Sequence, residues 1–128
     1  MRFVGLKPLE MDKPLIEFET TAGEVLDLYN EHDLRSAVLD ADGLAFEFVS
    51  TVSESFVPSH SHVVVLRFRG IRNLRVEQPS DWAPQEADQI EDLLIRRTIG
   101  PWPQLVFNAG GLDYEFDCEE ICLSVVPL

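Results

Sequence analysis

"DADGLAFEF", Asp40 to Phe48, and "NAGGLDYEF", Asn108 to Phe116, decide how this chain folds. Aligned at Ala41 and Ala109, the pairs Gly43/Gly111, Leu44/Leu112, Glu47/Glu115 and Phe48/Phe116 are identical, and Phe46 stands where the second copy has Tyr114. Asp or Asn with Gly supplies the positive-φ positions of a tight turn, and the residues behind it alternate in polarity. A period of two marks a half-buried strand. Each copy therefore predicts a β-hairpin, and five identities in eight positions leave an internal duplication of that hairpin open.

Two ligand-loop readings compete with the hairpin, and both fail on the residues that follow the glycines. A calcium loop of the D-x-D-G kind needs further oxygen ligands ending in a glutamate, whereas Leu44, Ala45 and Phe46 come next, and "NAGG" has lost both aspartates. A phosphate cradle in "AGGL" needs a helix opening behind it, whereas "LDYEFD" alternates like a strand.

The same alternation runs through most of the chain. "LIEFE" puts Ile16 and Phe18 on one face, and "EVLDLYN" continues with Val25 and Leu28. The stretch "HVVVLRFRGIRNLRVEQP" reads as a second type of hairpin, with Val64, Leu66 and Phe68 inward, "GIRN" as the turn, and Leu74 and Val76 inward on the return strand before Pro79 ends it. "PSDWAPQEADQIEDLLIRRTIG" predicts one short helix near residues 84–95: Ser80 or Asp81 caps it, Pro84 suits its first turn, and Ala87, Ile90 and Leu94 form a stripe. Its end, "LLIRR", reads equally as a strand. The expected architecture is mainly β, an antiparallel sandwich or curved sheets of about eight or nine short strands, in a single domain over residues 1–128.

A chain of 128 residues buries roughly 65% of its unfolded surface and needs no metal or disulfide to stand. The longest apolar run, "HVVVLRF", is far shorter than the ~20 residues of a membrane helix, and the first residues lack a signal-peptide core, so a cytoplasmic location without membrane association is expected. The net charge of −13 argues against nucleic-acid binding, because phosphate contacts need excess Lys and Arg. It accommodates a basic protein partner instead.

Cys118, Cys122, His60 and His62 are the candidate soft ligands. The cysteine spacing suits zinc, but the histidine spacing does not, and Cys118 continues the inward parity of Tyr114 and Phe116; no metal and no cofactor are expected. No nucleophile elbow accompanies His32, which reads as a loop or turn residue, and choosing a catalytic pair among 23 acids would be arbitrary. The chain reads as a non-enzyme.

Two charged groups remain. Asp113, Glu115, Asp117, Glu119 and Glu120 make a negative ridge, the candidate partner-binding face, with a solvated edge as its plainer explanation. Arg67, Arg69, Arg72 and Arg75 crowd one stretch and are the candidate anion-binding set, with pairing to neighbouring acids as theirs. The phrases "VVVLRFRGIRNLRVEQ" and "LVFNAGGLDYEFDCEEICLSV", about a third of the chain, resemble those of small uncharacterised bacterial β-rich proteins, among them immunity proteins of polymorphic-toxin systems. That resemblance implies a cytoplasmic, non-enzymatic protein that neutralises one cognate toxin by binding it, and it carries over no residue roles. The alternatives are a small-molecule- or anion-binding β-domain, using the arginines or a pocket near Trp82 and Trp102, and a homo-oligomeric structural protein.

Overall fold

The computed structural model describes residues 1–15, 17–51, 62–79 and 90–127. Eleven strands run through them: β1 (Arg2–Val4), β2 (Glu17–Glu19), β3 (Val25–Asp27), β4 (His32–Asp40), β5 (Gly43–Ser50), β6 (His62–Arg69), β7 (Arg72–Glu77), β8 (Ile90–Arg96), β9 (Gln104–Ala109), β10 (Leu112–Asp117) and β11 (Glu120–Pro127). They form a five-stranded sheet in the order β1-β11-β6-β5-β4, a four-stranded sheet in the order β7-β10-β9-β8, and the small pair β2-β3. The fold is mainly β, as the alternation predicts. The strands outnumber the expected eight or nine because β1 has only three residues, too few to show a period, and β8 falls where the sequence predicts a helix. One pairing, β1 with β11, is parallel.

The two quoted stretches are both hairpins, one in each large sheet. β4 and β5 turn through Ala41 and Asp42, where the Asp40 carboxylate accepts the Asp42 N–H at 2.8 Å. β9 and β10 turn through Gly110 and Gly111, at φ 62° and 78°, the mirror-image geometry that matches strand twist. Against the sequence alignment the second turn is displaced by one residue, so Leu44 faces Leu39 whereas Leu112 faces Ala109. The displacement moves the strand pairing by two residues and so preserves which side chains point inward.

Those inward side chains build the core. Phe46, Phe48, Phe68 and Phe116 are fully buried, and Phe107 and Tyr114 nearly so. Phe107 lies at the centre, its ring 5.4 Å from Phe46, 5.4 Å from Phe68, 5.3 Å from Tyr114 and 5.8 Å from Phe116. Phe46 and Tyr114, the equivalent positions of the two copies, meet edge to face at 5.2 Å across the sandwich. Leu6, Phe18, Leu26 and Leu28 extend the same core.

Residues 5–15 and 17–20 close one side of the sandwich. Lys7 N–H bonds to the Glu19 carbonyl, and Leu15 exchanges bonds with Leu93 on the outer edge of β8. The opposite side, between β4 and β7, is a groove of about 810 Å³ bordered by Leu39, Asp40, Asp42, Ile71, Arg72 and Leu74.

Four expectations are corrected. β6 and β7 are not a hairpin: β5 and β11 already occupy both sides of β6, so the chain crosses at Gly70 and Ile71 into the other sheet and pairs with β10. Val76 then shares the side of Tyr114 but stays 45% exposed. Val25 is exposed, and Leu26 takes the inward place beside Phe18. The helix near 84–95 is not seen: residues 90–95 are in β8, and 84–89 lie outside the described residues.

Candidate functional site

β10 is an interior strand, with β7 on one side and β9 on the other, so its outward acids are not a lone ridge. Register arranges the outer face of the four-stranded sheet in three rows. Glu77, Asp113, Asn108 and Glu91 form the first; Arg75, Glu115, Val106 and Leu94 the second; Arg72, Asp117, Gln104 and Arg96 the third. Carboxylates gather in the first row and guanidinium groups flank the third. The face is therefore electrically polarised along the strand direction.

Of the predicted ridge, Asp113 is exposed and takes the Asn108 side-chain N–H at 3.0 Å. Glu115 and Asp117 are half-buried and accept from Gln104 at 2.7 Å and Asn73 at 2.8 Å. Glu119 and Glu120 lie beyond the strand and belong to the arginines. Arg72 reaches Glu119 at 3.1 Å, and Arg69 and Arg2 reach Glu120 at 3.3 and 2.8 Å. The other two arginines are also paired, Arg67 with Asp40 at 3.2 Å and Arg75 with Glu77 at 3.1 Å. Ridge and arginine cluster, read separately from the sequence, are thus neighbours joined by ion pairs.

Glu120 is the structural member of the group. Its side chain is 8% exposed, and it accepts the Cys122 thiol at 2.9 Å besides both guanidinium groups. The Cys122 hydrogen bond, then Arg2 and Arg69, hold its carboxyl below the ordinary 4.5, against desolvation that raises it. A lowered folded-state value means stability that is present above the unfolded value and lost as pH falls through the folded one. Glu120→Gln is expected to lower the urea midpoint at pH 7, with the deficit from wild type shrinking below pH 4.5. Paired urea titrations at neutral and acid pH measure it; a deficit that does not change with pH would contradict the assignment.

Cys118 and Cys122 are free thiols, both pushed up to about 11, chiefly by burial. The buried Cys118 Sγ donates to the Arg69 and Glu120 carbonyls, so it packs inward as parity predicts. His62 pairs with Pro127, five residues along β11 from Cys122, or roughly 17 Å at strand rise; His60 lies outside the described residues. His32 is not a loop or turn residue. It opens β4, is 1% exposed, and its Nδ1 lies 2.9 Å from the Asp27 carbonyl, while the Asp27 carboxylate accepts from the Tyr29 and Asn30 N–H groups. Trp102 lies under the Arg72 guanidinium at 5.9 Å, and Trp82 is outside the described residues.

Sequence reasoning did not connect Glu77 and Glu91 with Asp113. The outward parity of Glu77 was legible, whereas Glu91 lay in the predicted helix, and grouping them requires the β7-β10 and β8-β9 pairings. Glu77 and Asp113 face each other directly and border, with Arg75, Val106 and Glu115, a depression of about 300 Å³. Among the described residues, no helix is long and apolar enough to cross a membrane. Compared with protein-family models, curated proteins and solved structures, the chain matches none.

Proposed function

We propose that this is a non-enzymatic cytoplasmic binding protein that neutralises one cognate basic protein, in the manner of an immunity protein, and that the partner docks on the acidic end of the four-stranded sheet. One observation carries the reading. Glu77 and Asp113 stand directly opposite each other, and like charges so placed destabilise a sheet by about 0.2–1 kcal/mol. Arg75 and Asn108 offset part of that cost, and a Lys or Arg entering the depression beside them would remove the rest.

The ridge is accordingly narrowed. Asp113 and Glu115 remain as partner contacts, Glu77 joins them, and Asp117, Glu119 and Glu120 serve the fold through Asn73, Arg72, Arg69 and Arg2. Anion binding by Arg67, Arg69, Arg72 and Arg75 has less support, because an anion would have to displace a carboxylate from each of them. The paired hairpins fit convergence on favourable turn chemistry better than duplication, since their turns do not align.

Co-expression with the product of the adjacent upstream gene tests the function. Stable co-purification, lost when Glu77 and Asp113 are both changed to Lys, is expected. A neighbour that neither carries a toxin domain nor binds would sink it.

A further inference from the structure

We infer that a second copy of this chain pairs with β4 and joins the two five-stranded sheets into one. The inference concerns a different edge from the acidic face and stands independently of it. An unprotected sheet edge offers backbone groups to any passing strand, and three of the four outer edges of the large sheets are protected. β1 has only three residues. The outer side of β8 is bonded by Leu15 and Asp12, whose N–H reaches the Ile95 carbonyl. β7 exposes Arg72, Arg75 and Glu77.

β4 differs. It is nine residues long, and its first half carries Asp33, Arg35 and a register shift between Leu34 and Ser36, all of which discourage pairing. Its second half has no charge before Asp40, the last residue of the strand, which Arg67 holds. Ala37, Val38 and Leu39 are all exposed, with Val38 at 48% and Leu39 at 60%, and no described residue pairs with that side.

A second copy is the occupant that the sequence of β4 fits. Ala37 and Leu39 lie on the core side, opposite Phe46 and Leu44, while Ser36 and Val38 lie on the outer side, opposite Glu47 and Ala45. An antiparallel partner that extends the sheet must keep these sides, so the paired residue numbers must sum to an even value. Centred on Val38, Val38 meets Val38 of the second copy, Ala37 meets Leu39 and Ser36 meets Asp40. Each contact occurs twice about the two-fold axis except the central one. Arg35, 3.9 Å from Glu47 of its own chain, falls opposite Ala41 of the second copy, beside Asp42 and the Arg67-bound Asp40, so acids of both copies surround it and the charged ends are complementary. The pairing covers the exposed apolar residues of β4 with their own counterparts.

Sedimentation over a concentration series, with single-residue variants, tests this. The wild type is expected to move from 14.5 kDa to twice that mass as concentration rises. Val38→Lys places two ammonium groups against each other on the axis and is expected to remain monomeric, whereas Val126→Lys, at another exposed apolar position, is expected to dimerise like wild type. Val38→Cys should form an intermolecular disulfide on mild oxidation, because directly opposed Cβ atoms are about 4.5–5.5 Å apart; Val126→Cys should not. A wild type that stays monomeric at every concentration overturns the inference. So does a dimer that survives Val38→Lys without crosslinking through Cys at that position.

Discussion

Replacing Phe107 by alanine is expected to lower the unfolding free energy by about 3–5 kcal/mol, the range for deleting a large buried ring. Phe107 is 3% exposed and touches Phe46 and Phe68 of one sheet and Tyr114 and Phe116 of its own. Its removal costs the transfer energy of the ring and the contacts of all four neighbours. Each such aromatic pair contributes about 0.5–1.5 kcal/mol beyond area burial. The strands around it are held by their own ladders, so collapse into the cavity will be incomplete. Urea denaturation checks this, with a lower midpoint and little change in slope. A loss below about 1 kcal/mol, the size of an average substitution, would mean that the two sheets do not meet at this ring.

Gly43→Ala should be comparably severe for a different reason. Gly43 opens β5 at φ 117°, a region that L side chains rarely adopt. A Cβ there would be driven into the Phe68 carbonyl oxygen, on a strand fixed from both sides by β5 and β11. Backbone strain of about 1–3 kcal/mol is thus joined by overpacking of about 1–3 kcal/mol. A loss near 3 kcal/mol is expected in the same urea titration, with thermal melting as a second readout. Wild-type stability in this variant would show that the β4–β5 turn does not approach β6 as described.

These two positions also show what could be read without a structure. Parity placed Phe46, Phe48, Val64, Leu66, Phe68, Tyr114 and Phe116 inward, and all seven are buried, because a period of two depends only on which side of a strand faces the core. Parity is silent about neighbours. It could not show that β6, with both sides occupied, sends β7 to the other sheet. That pairing brings Glu77 to Asp113 and Arg72 to Asp117. The failed helix has an equally specific cause. The expected stripe joined Ile90 to Leu94, but a register shift between Glu91 and Leu94 puts Leu93 with Ile90 in the core and leaves Leu94 half-buried on the outer face opposite Val106.

The candidate site was legible to the same degree. The sequence exposes the acids of β10 as outward residues, yet their roles divide according to what lies across from them. Asp117, Glu119 and Glu120 meet Asn73, Arg72, Arg69 and Arg2, while Asp113, though it accepts from Asn108, stands across from another acid, Glu77. Charge counted along the chain cannot separate a carboxylate held by a guanidinium from one that faces its like.

Calorimetric titration of the upstream neighbour's product into wild type, Asp113→Lys and Glu17→Lys measures whether the partner docks on the acidic end of the four-stranded sheet. Asp113 and Glu17 are both exposed acids, so the two variants change net charge equally. Loss of a central contact costs at least ~2 kcal/mol, or roughly thirtyfold in Kd. Such a weakening is expected for Asp113→Lys, and near-wild-type affinity for Glu17→Lys. Equal affinity in all three proteins would contradict it.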